Sequence, residues 1–200
     1  MSDARQPAVF LDRDGTLNKE VNYLHKVENF EWVPGAPEAV KRLNELGVPV
    51  LVVTNQSGVA RGYFEEEDVE QLHAFMEEEL GKIGATIDAF YYCPYHPNRE
   101  VEEYRALSHC RKPNPGMFEE AIREWSVDPA RSFVVGDKHS DLLPGNELGM
   151  TTATRCTTTS WTVFPRPLTS SGEKSRASTL RAVESAGDAR DDAVPGTRLQ

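Results

Sequence analysis

Two aspartates stand two residues apart in the run Asp12-Arg13-Asp14-Gly15-Thr16, directly after the short apolar stretch Ala8-Val9-Phe10-Leu11. Two carboxylates spaced i, i+2 across a turn at a strand end can face one pocket. Gly15 permits the turn, and Thr16 can donate a hydrogen bond. One carboxylate can attack phosphorus as a nucleophile. The other, held nearly neutral by its neighbour, can protonate the leaving oxygen. An isolated pair of this kind is as often a surface turn. The strand before it gives this pair a defined place.

Paired carboxylates repel a phosphate dianion, so the chemistry needs an offsetting charge. A Mg²⁺ ion held by oxygen ligands offsets it and polarises the phosphoryl group. Further carboxylates stand in Gly136-Asp137-Lys138-His139-Ser140-Asp141, after the apolar run Phe133-Val134-Val135. Arg111-Lys112-Pro113 supplies cations, and Thr54-Asn55 supplies a hydroxyl, an amide and turn N–H groups suited to phosphate oxygens. Each is weak alone. All four fall at the ends of structural elements.

The elements that must position them are legible as an alternation. Apolar runs at 8–11, 48–53, 89–92 and 133–135 read as strands. Between them, 37–47, 65–81 and 116–125 carry helical periodicity, with Gly47 as a C-terminal stop. Continuous apolar strands separated by amphipathic helices predict a doubly wound, mostly parallel α/β sheet covered on both faces. In such sheets the ligand sits beyond the carboxyl ends of the strands. The groups following the four strands are Asp12, Thr54, Cys93 and Asp137.

Composition narrows the field. Acids outnumber bases 32 to 22 over the 200 residues. No basic stripe for nucleic acid is expected from that balance. No apolar run approaches the roughly 18 residues of a membrane span, and MSDARQPAVF lacks the apolar stretch of a secretory signal. Three cysteines, Cys93, Cys110 and Cys156, suit a reducing cytoplasm better than a disulfide scaffold. A cytoplasmic monomer acting on a small molecule is expected, with neither nucleic acid nor membrane as partner. The folded domain is expected over 1–156. Residues 157–200, rich in Ser and Thr and without hydrophobic period, are expected to be a weakly ordered tail.

Taken together, these segments resemble the haloacid dehalogenase superfamily of phosphohydrolases. Asp12-x-Asp14-Gly15-Thr16 is similar to its first motif, Thr54 to its second, Lys112 to its third, and Gly136-Asp137 with Asp141 to its fourth. More narrowly, FLDRDGTLN, VVTNQSGVARG, CRKPNPGM and VVGDK resemble the D-glycero-D-manno-heptose-1,7-bisphosphate 7-phosphatases and the related histidinol-phosphatases. The resemblance implies an essentially capless, Rossmann-like fold and a Mg²⁺-dependent phosphomonoesterase acting on a small sugar phosphate. It implies Asp12 as nucleophile and Asp14 as general acid and then base. Mg²⁺ would be held by Asp12, the Asp14 backbone carbonyl and Asp137. Thr54 and Lys112 would hold the transferring phosphoryl group, with Asn55, Arg111 and the loop 57–61 on the substrate side.

Relatives also carry a structural zinc bound by Cys-x-His and Cys-x-Cys. Here Tyr95 and Ser108 stand where a histidine and a cysteine belong. A zinc site from Cys93, His96, His109 and Cys110 satisfies ligand type, but His109 and Cys110 are adjacent and converge poorly on one ion. The other histidines, His25, His73 and His139, read as surface residues. The strand and helix that the family adds after its fourth motif have no recognisable counterpart in 153–200. The alternative is an irregular or strand-like cover built on Trp161, Val163, Phe164 and Leu168. Two further functions stand beside the sugar-bisphosphate phosphatase: a histidinol-phosphatase, and a catalytically impaired sugar-phosphate-binding protein.

Overall fold

A computed structural model describes residues 5–155 and 161–164. Strands β1 (Val9–Leu11), β2 (Val50–Asn55), β3 (Ala89–Cys93), β4 (Phe133–Gly136) and β5 (Thr151–Arg155) are parallel. Strand β6 (Trp161–Phe164) runs antiparallel to β5, and the sheet order is β3-β2-β1-β4-β5-β6. Helices α1 (Ala36–Glu45), α2 (Glu66–Gly81), α3 (Gly116–Glu124) and α4 (His139–Glu147) connect them.

The continuous apolar strands bury both faces, as parallel sheets do. Val9 and Leu11 of β1, with Val50 and Val52 of β2, pack with Val40 and Leu43 of α1 and Met76 and Leu80 of α2. Phe10, Leu51 and Val53 turn to the other face, against Met117, Phe118 and Ala121 of α3. There the rings of Phe10 and Phe118 lie 5.3 Å apart. The period of two along each strand therefore divides the core into two layers.

The helix ends follow local chemistry. α1 starts after Gly35 with Pro37 in its first turn, and Gly47 follows its end at φ 67°, a left-handed position suited to glycine. α2 opens with a capping box in which Glu65 and Asp68 satisfy each other's backbone N–H groups. The segments 12–35 and 94–115 hold only single 3-10 turns at Val27–Asn29 and Glu102–Tyr104. No second layer of helices stands over the strand ends among the described residues.

The C-terminal part corrects the sequence reading. α4 is helical despite Pro144 and Gly145. β5 is a strand although it reads TTATR. Threonine is β-branched and fits a pleated, half-buried position in spite of its hydroxyl. Trp161–Phe164, assigned above to the tail, pairs with β5 from Thr152↔Phe164 to Arg155↔Trp161. That pairing is what the edge-strand alternative expects of Trp161, Val163 and Phe164; its fourth residue, Leu168, lies outside the described residues. Residues 157–160 and 165–200, with most of the expected tail, lie outside the described residues.

Candidate active site

Chain order reverses beside β1: β2 and β3 lie to one side of it, β4 and β5 to the other. Ligands in open α/β sheets bind at such a switch point, beyond the carboxyl strand ends. Asp12 follows β1 there and Asp137 follows β4. A cleft of about 300 Å³ opens at Asp12, lined by Asp12, Asp14, Thr54, Asn55, Arg111, Lys112 and Asp141, while Asp137 is not part of its lining. A larger groove of about 870 Å³ is lined by Glu65, Glu66, Glu67, Asp68 and Glu70. That wall repels a phosphate, so size does not decide between the two.

Lys112 is buried at the centre. Its ammonium donates to Asp12 Oδ1 at 2.7 Å and to the Val53 carbonyl at 2.8 Å, and pairs with Asp141 Oδ1 at 2.8 Å. Asn55 fixes the Lys112 backbone in both directions: its amide donates to Lys112 O, and Lys112 N–H donates to Asn55 Oδ1, both at 3.0 Å. The second oxygen of Asp141 accepts from Lys138 N–H at 2.9 Å and so caps α4. One side chain thus serves the helix start and the lysine. Burial would lower the Lys112 pKa, but Asp12 and Asp141 outweigh it and hold it above its ordinary value.

Asp12, Asp137 and Asp141 bring carboxylate oxygens within 4.8 Å of one another. Two glycines allow this. A Cβ on Gly15, whose φ is 87°, would stand 2.3 Å from Asp137 Oδ2, and one on Gly136 would stand 2.5 Å from the Asp141 Cβ. Burial pushes the Asp12 carboxyl up to about 7 against the pull of Lys112, with Asp141 and Asp14 pushing the same way. Asp137 is also raised, mainly by burial. Its Oδ1 is buried without a hydrogen-bond partner. Crowded carboxylates, two of them with raised pKa, and an unpartnered buried oxygen fit a hard divalent cation, whose charge relieves the crowding and which takes oxygen ligands of this kind.

Asp14 departs from the expectation. Its carboxylate accepts from Arg13 Nη2 at 3.1 Å, from Asn18 Nδ2 at 3.0 Å and from Gln56 Nε2 at 2.9 Å. Burial would raise its pKa, but Arg13, Asn18 and Gln56 together hold it below the usual carboxylate range. The neighbouring carboxylate does not keep Asp14 neutral; the guanidinium keeps it charged. Gln56 also donates to Thr54 Oγ1 at 2.9 Å. Arg13, Asn18 and Gln56 were missed as site residues. Arg13 is the unspecified position between the two aspartates, and Gln56 follows Thr54-Asn55, so proximity in sequence was the available signal.

The zinc reading is corrected. Cys93 and Cys110 are joined by a disulfide with Cα atoms 5.7 Å apart, so the expectation of reduced cysteines does not hold for this pair. His96 Nδ1 accepts from Asn98 N–H, and its Nε2 lies 3.4 Å from Arg99. His109 turns to Glu119 at 2.7 Å. The two rings point to separate partners, and no four-ligand site forms. Alkylation of the unreduced protein is expected to spare Cys93 and Cys110 and to label them after reduction, with zinc far below one ion per chain. Stoichiometric zinc, with Cys93 and Cys110 labelled after chelation alone and without any reductant, would reverse this conclusion. His73, expected at the surface, is 6% exposed, because it lies on the face of α2 shared by Val69, Leu72 and Met76.

This strand-end arrangement on a doubly wound sheet defines a haloacid dehalogenase-like hydrolase. The family model of that description matches residues 9–79, and a HAD-hydrolase-like model matches 109–156. The chain belongs, more narrowly, to the family of D-glycero-beta-D-manno-heptose-1,7-bisphosphate 7-phosphatases, and is therefore a phosphoric monoester hydrolase. It is 45% identical to the enzyme of that name from Haemophilus ducreyi over 72% of this chain and 80% of the relative. It is 46% identical to that of Escherichia coli K12 over 68% and 71%. Among solved structures, a putative HAD-like phosphatase from Mesorhizobium loti superposes with TM-score 0.73 at 34% identity, covering 94% of this chain and 90% of the other. The D,D-heptose 1,7-bisphosphate phosphatase from B. bronchiseptica, complexed with magnesium and phosphate, superposes at 0.66 and 32% identity over 74% and 79%.

Proposed function

We propose that the chain removes the 7-phosphate of D-glycero-D-manno-heptose 1,7-bisphosphate through an aspartyl-phosphate on Asp12. One observation carries the choice of a bisphosphate. Arg111 stands in the cleft wall, and its pKa is lowered by burial and then by the nearby charges of Arg99 and Arg61. Arg61 lies over the ring of Tyr23, another wall residue, at 5.0 Å. The Nε atoms of Arg61 and Arg99 are buried without partners. Three crowded guanidinium groups suit a second phosphate held away from the reacting one. Histidinol phosphate has no second phosphate, and its ammonium and imidazole give these cations nothing to pair with.

In this reading Asp12 Oδ2 attacks phosphorus while Lys112 holds Oδ1. Lys112 and Thr54 also hold the transferring phosphoryl group. Asp14 gives a proton to the leaving sugar oxygen and later takes one from the water that releases phosphate. Because Arg13 keeps Asp14 charged, Asp14 takes up its proton as the substrate dianion enters. Asp12, Asp137 and the Asp14 backbone carbonyl would hold Mg²⁺, with Asp141 beside them. The ion would offset carboxylate charge and polarise the phosphoryl oxygens when bound. The reading takes the chain to be a cytoplasmic monomer working in carbohydrate metabolism, as its composition and the heptose substrate suggest.

The test is phosphate release by the purified chain over heptose bisphosphate anomers, histidinol phosphate and sugar monophosphates, with Mg²⁺ or EDTA. A kcat/KM for the bisphosphate at least about tenfold above every other substrate is expected, from one added charge-paired phosphate. EDTA should stop release and added Mg²⁺ restore it. Equal or faster hydrolysis of histidinol phosphate would replace the substrate, and activity surviving full chelation would remove the metal.

A further inference from the structure

We infer that Arg13 and His73 form a positioning pair that fixes the carboxylate of Asp14 and the cleft wall at Leu24 as one unit. This rests on the role proposed for Asp14. Arg13 is completely buried, although it sits between two site aspartates, and its side chain runs back beneath the cleft. Its Nε and Nη2 donate to Asp14 at 3.3 Å and 3.1 Å, and Nη2 donates to the Leu24 carbonyl at 3.2 Å. Leu24 belongs to the stretch 20–24 that lines the cleft. The remaining corner, Nη1, lies 3.3 Å from His73 Nε2, sixty positions along the chain on α2.

His73 is built to accept. Its ring is stacked on Phe90 with centroids 4.2 Å apart and planes 15° apart, and it meets Tyr92 edge-on. Burial, with Arg13 adding and Asp14 opposing, pushes its pKa down to about 3, so the ring is neutral. A neutral imidazole with its proton on Nδ1 offers a lone pair at Nε2. A buried guanidinium left with an unpaired N–H is costly, and it would be free to turn toward another acceptor. His73 removes that freedom. It is a positioning residue, since it touches neither substrate nor the reacting atoms.

Proton transfer to a leaving oxygen depends on sub-ångström placement, and a displacement of about 1 Å can cost about 10²-fold. The requirement depends on the leaving group. A sugar alkoxide needs the proton, whereas p-nitrophenolate leaves without it. The experiment measures kcat/KM, which reports phosphoryl transfer to the enzyme, on the sugar bisphosphate and on p-nitrophenyl phosphate.

His73→Leu is expected to lower kcat/KM for the sugar substrate by about tenfold or more and that for the aryl substrate by less than about threefold. His73→Gln, which keeps an acceptor oxygen, should recover most of the sugar activity. Arg13→Lys, which keeps the buried charge but cannot span three partners, should show the same selective loss, and it carries the test if His73→Leu fails to fold. Equal losses on both substrates, no loss, or a glutamine variant as impaired as the leucine one would overturn the pairing. Asp14→Asn is the control. If it too leaves the sugar rate unchanged, the role of Asp14 fails; if only the His73 and Arg13 variants do, the positioning pair alone fails.

Discussion

Asp12→Asn is expected to lower turnover by at least about 10³-fold while leaving the fold intact. The substitution is isosteric, and an amide oxygen at the Oδ1 position still accepts the 2.7 Å bond from Lys112. What disappears is the second carboxylate oxygen, which is free to attack. The amide nitrogen that replaces it has a delocalised lone pair and does not form an acyl-phosphate. Stability should hold or rise in the metal-free protein. Burial drives the Asp12 carboxyl toward neutrality, and a neutral side chain relieves that conflict at neutral pH. Thermal melting beside single-turnover phosphate release separates chemistry from folding. A turnover within tenfold of wild type would end the aspartyl-phosphate reading.

That prediction could be drawn from sequence because Asp12 is positioned by the most legible feature of the chain. The runs 8–11, 48–53 and 133–135 are continuous and apolar, and a strand buried on both faces has no other pattern available. The residues just beyond such strands are fixed in space once the sheet is inferred. Asp12, Thr54 and Asp137 fall there, and Lys112 is brought to them by its reciprocal backbone pairing with Asn55. Two of the elements not read from the sequence break the pattern for local reasons. α4 contains Pro144 and Gly145, and β5 replaces most apolar side chains with threonine. Their positions come from packing beside β4, a tertiary effect that propensity does not carry.

The site was legible in its reacting groups and not in what holds them. Ligand type suggested four zinc donors between Cys93 and Cys110, but the direction of each side chain decides coordination. His96 faces Asn98 and Arg99, and His109 faces Glu119. The charge state of Asp14 was misread for a similar reason. The nearest carboxylate in sequence looked like its controlling neighbour, whereas the controlling charge is Arg13, folded beneath it. His73 did carry a signal of burial, since it falls between Val69 and Met76 on the apolar face of α2, but its partner, a guanidinium sixty positions away, was not readable there.

Lys112→Met should damage both stability and rate. The methionine keeps the aliphatic volume, so packing is largely preserved. The lost ammonium was shared by Asp12, Asp141 and the Val53 carbonyl, all within 2.8 Å. Two buried carboxylates then face each other without compensation, and breaking a buried pair costs about 3–5 kcal/mol. For a domain of this size that lowers Tm on the order of 10 °C. Turnover should fall by about 10²–10³-fold from loss of the charge placed on the phosphoryl group. Added Mg²⁺ should raise the melting temperature of the variant more than that of wild type, because a cation among Asp12, Asp137 and Asp141 takes over the missing compensation. It should not restore the rate, since Asp12 Oδ1 would still lack the donor that orients it. A variant melting within about 2 °C of wild type would mean that the buried pair is replaceable by packing alone. Lys112 would then be retained for the reaction and not for the fold.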